Sequence, residues 1–171
     1  MDDMSKTTDL FITGLKNAHA MESQALAIMR PQVSRIENYP QVRAKLVEHI
    51  KETEGHIARL EKILEDCGAA KSTLKDATLS VAGTMAALGH TPAEDEILKN
   101  SFANFAFENY EAAAYKSLIA IAEQAGKTDA IPDLQQTLDE ELSMAEWLDD
   151  NLEDLTAQFV ARFATGETAK K

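Results

Sequence analysis

Cysteine is almost missing from this sequence: Cys67 is alone among 171 residues, so no intramolecular disulfide can form. Residues Met1 to Thr8 hold no cationic segment leading into an apolar run. The expectation from both is a protein of the reducing cytoplasm. Seven Gly and four Pro are few interruptions for this length, and aromatic residues make up 6%. That scarcity, with plentiful Ala, Leu, Glu and Lys, disfavours sheet and predicts an all-α chain. No apolar run approaches the roughly 20 residues needed to cross a bilayer. Basic clusters are also lacking, and the net charge is -12. Nucleic acid and anionic membrane surfaces are therefore excluded as partners, since both are held by Lys and Arg. Cations remain, although part of this acidity is ordinary solvated helix surface.

At this length one domain, residues 1–171, is expected. Its first periodic segment covers about 8–36, where Phe11, Leu15, Ala18, Glu22, Ala25, Met29 and Ile36 recur at steps of four and three. Pro31 is expected to kink or loosen its last turns. The Asn38-Tyr39-Pro40 cluster leads into a second helix at about 41–66, closed by Gly68. A weaker amphipathic stretch, 68–92, reads as a crossover with short helices. Thr91-Pro92 followed by Glu94 opens a third helix at about 93–125. After the Gly126 turn, Leu134, Leu138, Glu141, Ala145, Leu148 and Leu155 define a fourth at about 129–163. Two tight hairpins joined by one long crossover give an antiparallel four-helix bundle.

The chemistry lies where the seams break their own rule. A helix seam asks for apolar side chains, because unpaired buried charge is costly. Yet Glu22 interrupts helix one and Glu141 interrupts helix four. In helix three the seam through Asn104, Tyr115 and Leu118 turns both acids of Glu108-Asn-Tyr-Glu111 inward. In helix two, His49 and His56 share a face with Leu46 and Leu60, and Glu52 lies within a turn of both. Counting from the turns, Glu22 and Glu52 differ in height by ~4–5 Å, and Glu111 and Glu141 by less, at 1.5 Å per residue. All four helices thus bring carboxylates to mid-bundle height. Two divalent cations would neutralise such a cluster. Mixed oxygen and imidazole donors suit iron, manganese or zinc better than calcium. The expected metal residues are Glu22, His49, Glu52, His56, Glu108, Glu111 and Glu141. Either histidine can instead orient a carboxylate from outside the cluster. Glu140, the neighbouring choice in helix four, falls on the flank.

Several segments carry a resemblance. Ala-Met-Glu22-Ser-Gln-Ala, Glu108-Asn-Tyr-Glu111-Ala-Ala-Ala-Tyr115 and Ile-Ala-Glu-Gln-Ala-Gly126 resemble the metal helices of rubrerythrins and ferritin-like proteins. With Asp-Leu-Phe11, His49-x-x-Glu52-Thr-Glu-Gly55 and Thr137-Leu-Asp-Glu-Glu141, nearly the whole chain is similar to the YciE/YciF family. That resemblance implies a ferritin-like bundle, commonly a homodimer, linked to stress responses. It also implies a di-iron centre with ferroxidase-like or peroxidase-type activity, oxidising ferrous iron with dioxygen or peroxide. Two departures stand out. The ferritin-like pattern has Glu-x-x-His in helices two and four, whereas this chain has His49-x-x-Glu52 and Glu141-Leu-Ser-Met144. They support an alternative, a structural or interaction bundle without redox activity.

The remaining candidates read as packing. Tyr115 is a seam tyrosine one turn from Glu111, the methionines are scattered core filler, and Cys67 is a small hydrophobe. His19 and His90 fall away from the cluster and receive no role.

Overall fold

The structure is a computed structural model that describes residues 3–69 and 93–170. Four long helices make it up: α1 (Asp3–Arg35), α2 (Pro40–Asp66), α3 (Glu96–Gln124) and α4 (Ile131–Ala164), with a short 3₁₀ turn at Thr128–Ala130 leading into α4. α1 packs on α2 and α3, α3 on α4, and α4 on α2, forming the antiparallel bundle that the periodicity predicts. No helix among the described residues is long and apolar enough to cross a membrane.

Local sequence explains the ends. Pro40 starts α2, where its fixed φ suits a first turn and its missing N–H costs nothing. Gly68 and Gly126 end α2 and α3 at φ of 70° and 65°. In each case the glycine N–H and the next N–H bond back to the last turn, as in Gly68 to Glu65 and Ala69 to Leu64, both at 2.9 Å. Only glycine takes that left-handed conformation without a Cβ penalty.

Two expectations need correction. α1 starts at Asp3, earlier than 8, while its end at Arg35, beyond Pro31, lies where the periodicity put it. Pro31 lies at an exposed position, where the carbonyl it leaves unpaired can reach water. The Thr91-Pro92 opening of helix three lies outside the described residues, as does the crossover from residue 70 to 92. Ala93–Asp95 form a turn, and α3 begins only at Glu96.

A later part of the chain completes that start. Beyond α4, residues 165–170 fold back over the end of the bundle. The Lys170 carbonyl accepts the Ile97 N–H at 3.0 Å, supplying the cap that the α3 N-terminus lacks from its own sequence. Tyr39, fully buried, donates its hydroxyl to the Ala169 carbonyl. Asn38 and Arg162 donate to the Thr168 carbonyl at 3.1 and 2.9 Å. Glu96 is held between Arg35 at 2.7 Å and Lys170 at 3.7 Å.

Large apolar side chains line the core on both sides of its middle. Phe11 and Leu15 in α1, Leu60 and Ile63 in α2, Leu118 and Ala122 in α3, and Leu134 and Leu138 in α4 are all buried on one side of the middle. Met29, Leu46, Ile97 and Leu148 are buried on the other. Between these layers the buried residues turn polar.

Candidate metal centre

Glu22, His49, His56, Glu111 and Glu141 are each 0% exposed, and Glu108 only 2%. Five ionisable side chains without solvent and one nearly so is a costly arrangement unless each is compensated. The bundle compensates part of it. His49 Nε2 lies 3.1 Å from Glu108 Oε2 and 3.4 Å from Glu141 Oε2. His56 Nδ1 lies 3.2 Å from Glu22 Oε2 and 3.0 Å from Glu141 Oε1. Glu141 therefore serves both groups, one oxygen to each histidine.

The donor atoms form two triads. Glu22, His56 and Glu141 make one; His49, Glu108 and Glu141 make the other, the ligand atoms of each lying within 4.8 Å of one another. Both oxygens of Glu111 and of Glu141, Glu108 Oε2 and His49 Nε2 are buried without a hydrogen-bond partner. Several lie at ion-pair distance, yet their lone pairs and N–H directions do not align as hydrogen bonds. Among the described residues the other such side-chain atom is Asn100 Oδ1. Native interiors leave few buried polar atoms unpaired. Three helices, α2, α3 and α4, aim them at one place, and with Glu22 of α1 they form a donor set for divalent cations, with oxygen and imidazole ligands and a shared carboxylate.

Electrostatics point the same way. Burial raises Glu108 to about 8, with the neighbouring Glu141 charge adding to the push while His49 opposes it. Glu111 is raised well above the usual carboxylate range by burial and by the charges of Glu141, Glu22 and Glu108. Burial also raises Glu22, against the hydrogen bond from His56. For the histidines burial works downward but loses to the carboxylates: contacts with Glu108, Glu141 and Glu52 lift His49 to about 12, and Glu141 and Glu22 lift His56 to about 10. Burial would raise Glu141 too, but the two imidazoles hold it down at about 2.

Glu52 stands apart from the other expected residues. It is partly exposed and accepts from His49 Nδ1 at 2.9 Å, on the side of the ring away from the cluster, and belongs to neither triad. That hydrogen bond lowers its pKa. The reversed His49-x-x-Glu52 order thus puts the histidine inside and the carboxylate behind it. Two turns along α2, His56 supplies the second imidazole. Met144 of α4 is fully buried at the position where the ferritin-like pattern has a histidine. Both nitrogen donors therefore come from α2.

Three further participants stand outside the expected metal residues. Tyr115 donates a short hydrogen bond from its hydroxyl to Glu22 Oε1, and its ring lies edge-on to His56. Glu140, on the flank as expected, reaches His56 Nε2 at 2.9 Å. Arg59 holds Glu140 through both guanidinium nitrogens at 2.7 and 3.0 Å. The available signal was that Arg59 lies one turn beyond His56 on α2. Beyond the cluster, Gln32 and Asn104 form a reciprocal amide pair at 3.2 and 2.8 Å that joins α1 to α3.

Comparisons with known proteins extend this picture. The profile of the family described as "Domain of unknown function (DUF892)" matches residues 6–161. A crystal structure of a protein from Xanthomonas campestris is 26% identical, covering 93% of this chain and 99% of the other, with a TM-score of 0.78. The E. coli stress protein YciF is 23% identical over 90% of this chain and 97% of its own, with a TM-score of 0.68. A structure described as ferritin like, diiron-carboxylate proteins from Bacillus anthracis is 17% identical over 89% and 99%, with a TM-score of 0.69. The fold is ferritin-like, and the YciE/YciF resemblance read from the motifs agrees with the family match.

Proposed function

The chain belongs to the DUF892 family, and from that premise we propose that it is a di-metal carboxylate protein that takes two ferrous ions and oxidises them with dioxygen or peroxide. One observation carries the reading: two buried triads share Glu141, and beside them both Glu111 oxygens are buried without a partner. Iron is chosen over manganese or zinc because of the ferritin-like diiron neighbour.

The chain's residues divide the work. Glu22 with His56 would hold one ion and Glu108 with His49 the other, with Glu141, common to both triads, serving each, and Glu111 of α3 beside them. Their full burial excludes bulk water and strengthens every electrostatic contact in the site. Tyr115 holds one Glu22 oxygen, leaving the other for the cluster. Bound ferrous ions would supply the electrons that reduce the oxidant. Protons must leave as the ions enter, because the carboxylates lift His49 to about 12 and His56 to about 10 and burial raises Glu108 to about 8.

That proton-filled form also favours a second reading. Raised histidines against the lowered Glu141, with Glu108 and Glu111 pushed toward their neutral forms by burial, reduce the charge left in the core, as a purely structural stress-related bundle would need. Anaerobic ferrous loading, metal content by mass spectrometry, and ultraviolet absorbance after adding dioxygen or peroxide separate the two. The metal reading expects about two iron equivalents and oxidation in the wild type, with both lost in Glu22→Ala and Glu111→Ala while helicity persists. A wild type that binds no iron would leave the structural reading.

A further inference from the structure

The two histidines are mounted in opposite senses. His49 turns Nε2 toward the cluster and gives Nδ1 to Glu52, whereas His56 turns Nδ1 inward, to Glu22 and Glu141, and gives Nε2 to Glu140. A neutral imidazole offers a lone pair from one nitrogen only when the other carries the proton. The group behind the ring decides which nitrogen that is. A carboxylate can only accept there, so it fixes the proton on the outer nitrogen and leaves the inner one as a donor to metal.

The two outer carboxylates are unequal. Among the described residues Glu52 forms an ion pair with His49 alone. Glu140 also takes both guanidinium nitrogens of Arg59 and the Gln136 amide at 2.9 Å, and Arg59 is braced on the Thr137 hydroxyl at 2.8 Å. A carboxylate that shares its charge with a guanidinium is the poorer acceptor for His56, so it raises the basicity of that ring less.

We infer that Glu140, held by Arg59, is a positioning residue that keeps His56 Nδ1 available to a metal ion, and that Arg59 makes the His56 position the weaker of the two. The inference rests on the two-ion reading above. Glu140 Oε2 takes both His56 Nε2 at 2.9 Å and Arg59 at 2.7 Å, so an amide oxygen in its place would still hold the ring, and the variant that removes the acceptor is Glu140→Leu. There nothing fixes the proton on Nε2, and the lone pair aimed at Glu22 and Glu141 is no longer secured. Arg59→Met has the opposite effect: it leaves the carboxylate on Nε2 and removes the cation that drains it.

Anaerobic titration with Co²⁺ tests this by calorimetry and visible absorption. The wild type should show two resolved steps. Glu140→Leu should weaken the second step by roughly 10–100-fold and leave the first unchanged. Glu140→Asp should restore part of that loss, and Arg59→Met should leave the second step as tight as in the wild type or tighter. Two equal steps in the wild type, wild-type affinities in folded Glu140→Leu, or equal weakening in Glu140→Leu and Arg59→Met would each overturn the inference. A wild type that takes no Co²⁺ and no ferrous iron would overturn the two-ion reading beneath it.

Discussion

Glu140 and Glu141, consecutive in α4, lie against opposite nitrogens of one imidazole: Glu140 2.9 Å from His56 Nε2 and Glu141 3.0 Å from Nδ1. Neighbours on a helix point about 100° apart, so the pair can embrace the ring only because His56 projects between them from α2. One glutamate faces the buried cluster and the other is partly exposed. Their roles, and the effects of changing them, therefore diverge.

Glu141→Gln should abolish both metal equivalents, since its two oxygens serve both triads, whereas Glu140→Leu should leave one. Metal content after anaerobic loading measures this directly. Equal residual content in the two variants would contradict a bridging role for Glu141.

Tyr115→Phe removes the donor to Glu22 Oε1 inside a site closed to water. The metal-free protein should lose about 1–3 kcal/mol, the usual penalty for stranding a buried polar partner. Urea unfolding with circular dichroism measures it; an unchanged midpoint would mean that Glu22 finds another partner.

Metal affinity should rise with pH. His49 is raised to about 12, His56 to about 10 and Glu108 to about 8, so near neutrality the metal-free cluster holds protons that an entering cation must displace. Each displaced proton contributes about a tenfold gain in apparent affinity per pH unit. Co²⁺ titrations between about pH 6 and 8 should show this slope together with proton release in calorimetry; a flat profile would contradict the proton-filled state.

The bundle end has the opposite acid behaviour. Burial works to raise Glu96, but Arg35 and Lys170 override it and set it below its usual 4.5. Its stabilising contribution is present above that value and lost as pH falls through the lowered one. Glu96→Gln should therefore flatten part of the acid-induced loss of stability, seen as a smaller fall in the urea midpoint below about pH 4.5.

Deleting residues 167–171 should cost about 2 kcal/mol, because several hydrogen bonds go with them and the Tyr39 hydroxyl is left without its carbonyl. For a chain of this size that is roughly 4–8 °C in Tm. A melting point within a degree of the intact protein would show that the tail does not hold the bundle.

What could be read from the sequence was whatever repeats along one helix. Seam positions exposed the misplaced acids Glu22, Glu108, Glu111 and Glu141, and the glycines after α2 and α3 marked their ends, because face and cap depend on near neighbours. Contacts that depend on reach across the bundle left no such trace. Arg59 and Glu140 are far apart in sequence and meet only once α2 and α4 face each other. Glu52, one turn from His49 on the same helix, was legible as a neighbour, but which of the two points inward depends on the rotation of α2. The start of α3 was misplaced because its cap comes from Lys170, a partner that no local pattern around Glu96 reveals.

That borrowed cap also imposes an order on folding during synthesis. α1 and α2 can pair as a hairpin as soon as both have emerged from the ribosome, but the Ile97 N–H must wait for the carbonyl of a residue made more than seventy positions later. The assembly of this end cannot finish until residue 170 has been added. A nascent chain stalled before that point would carry its acidic cluster in a bundle still open at one end.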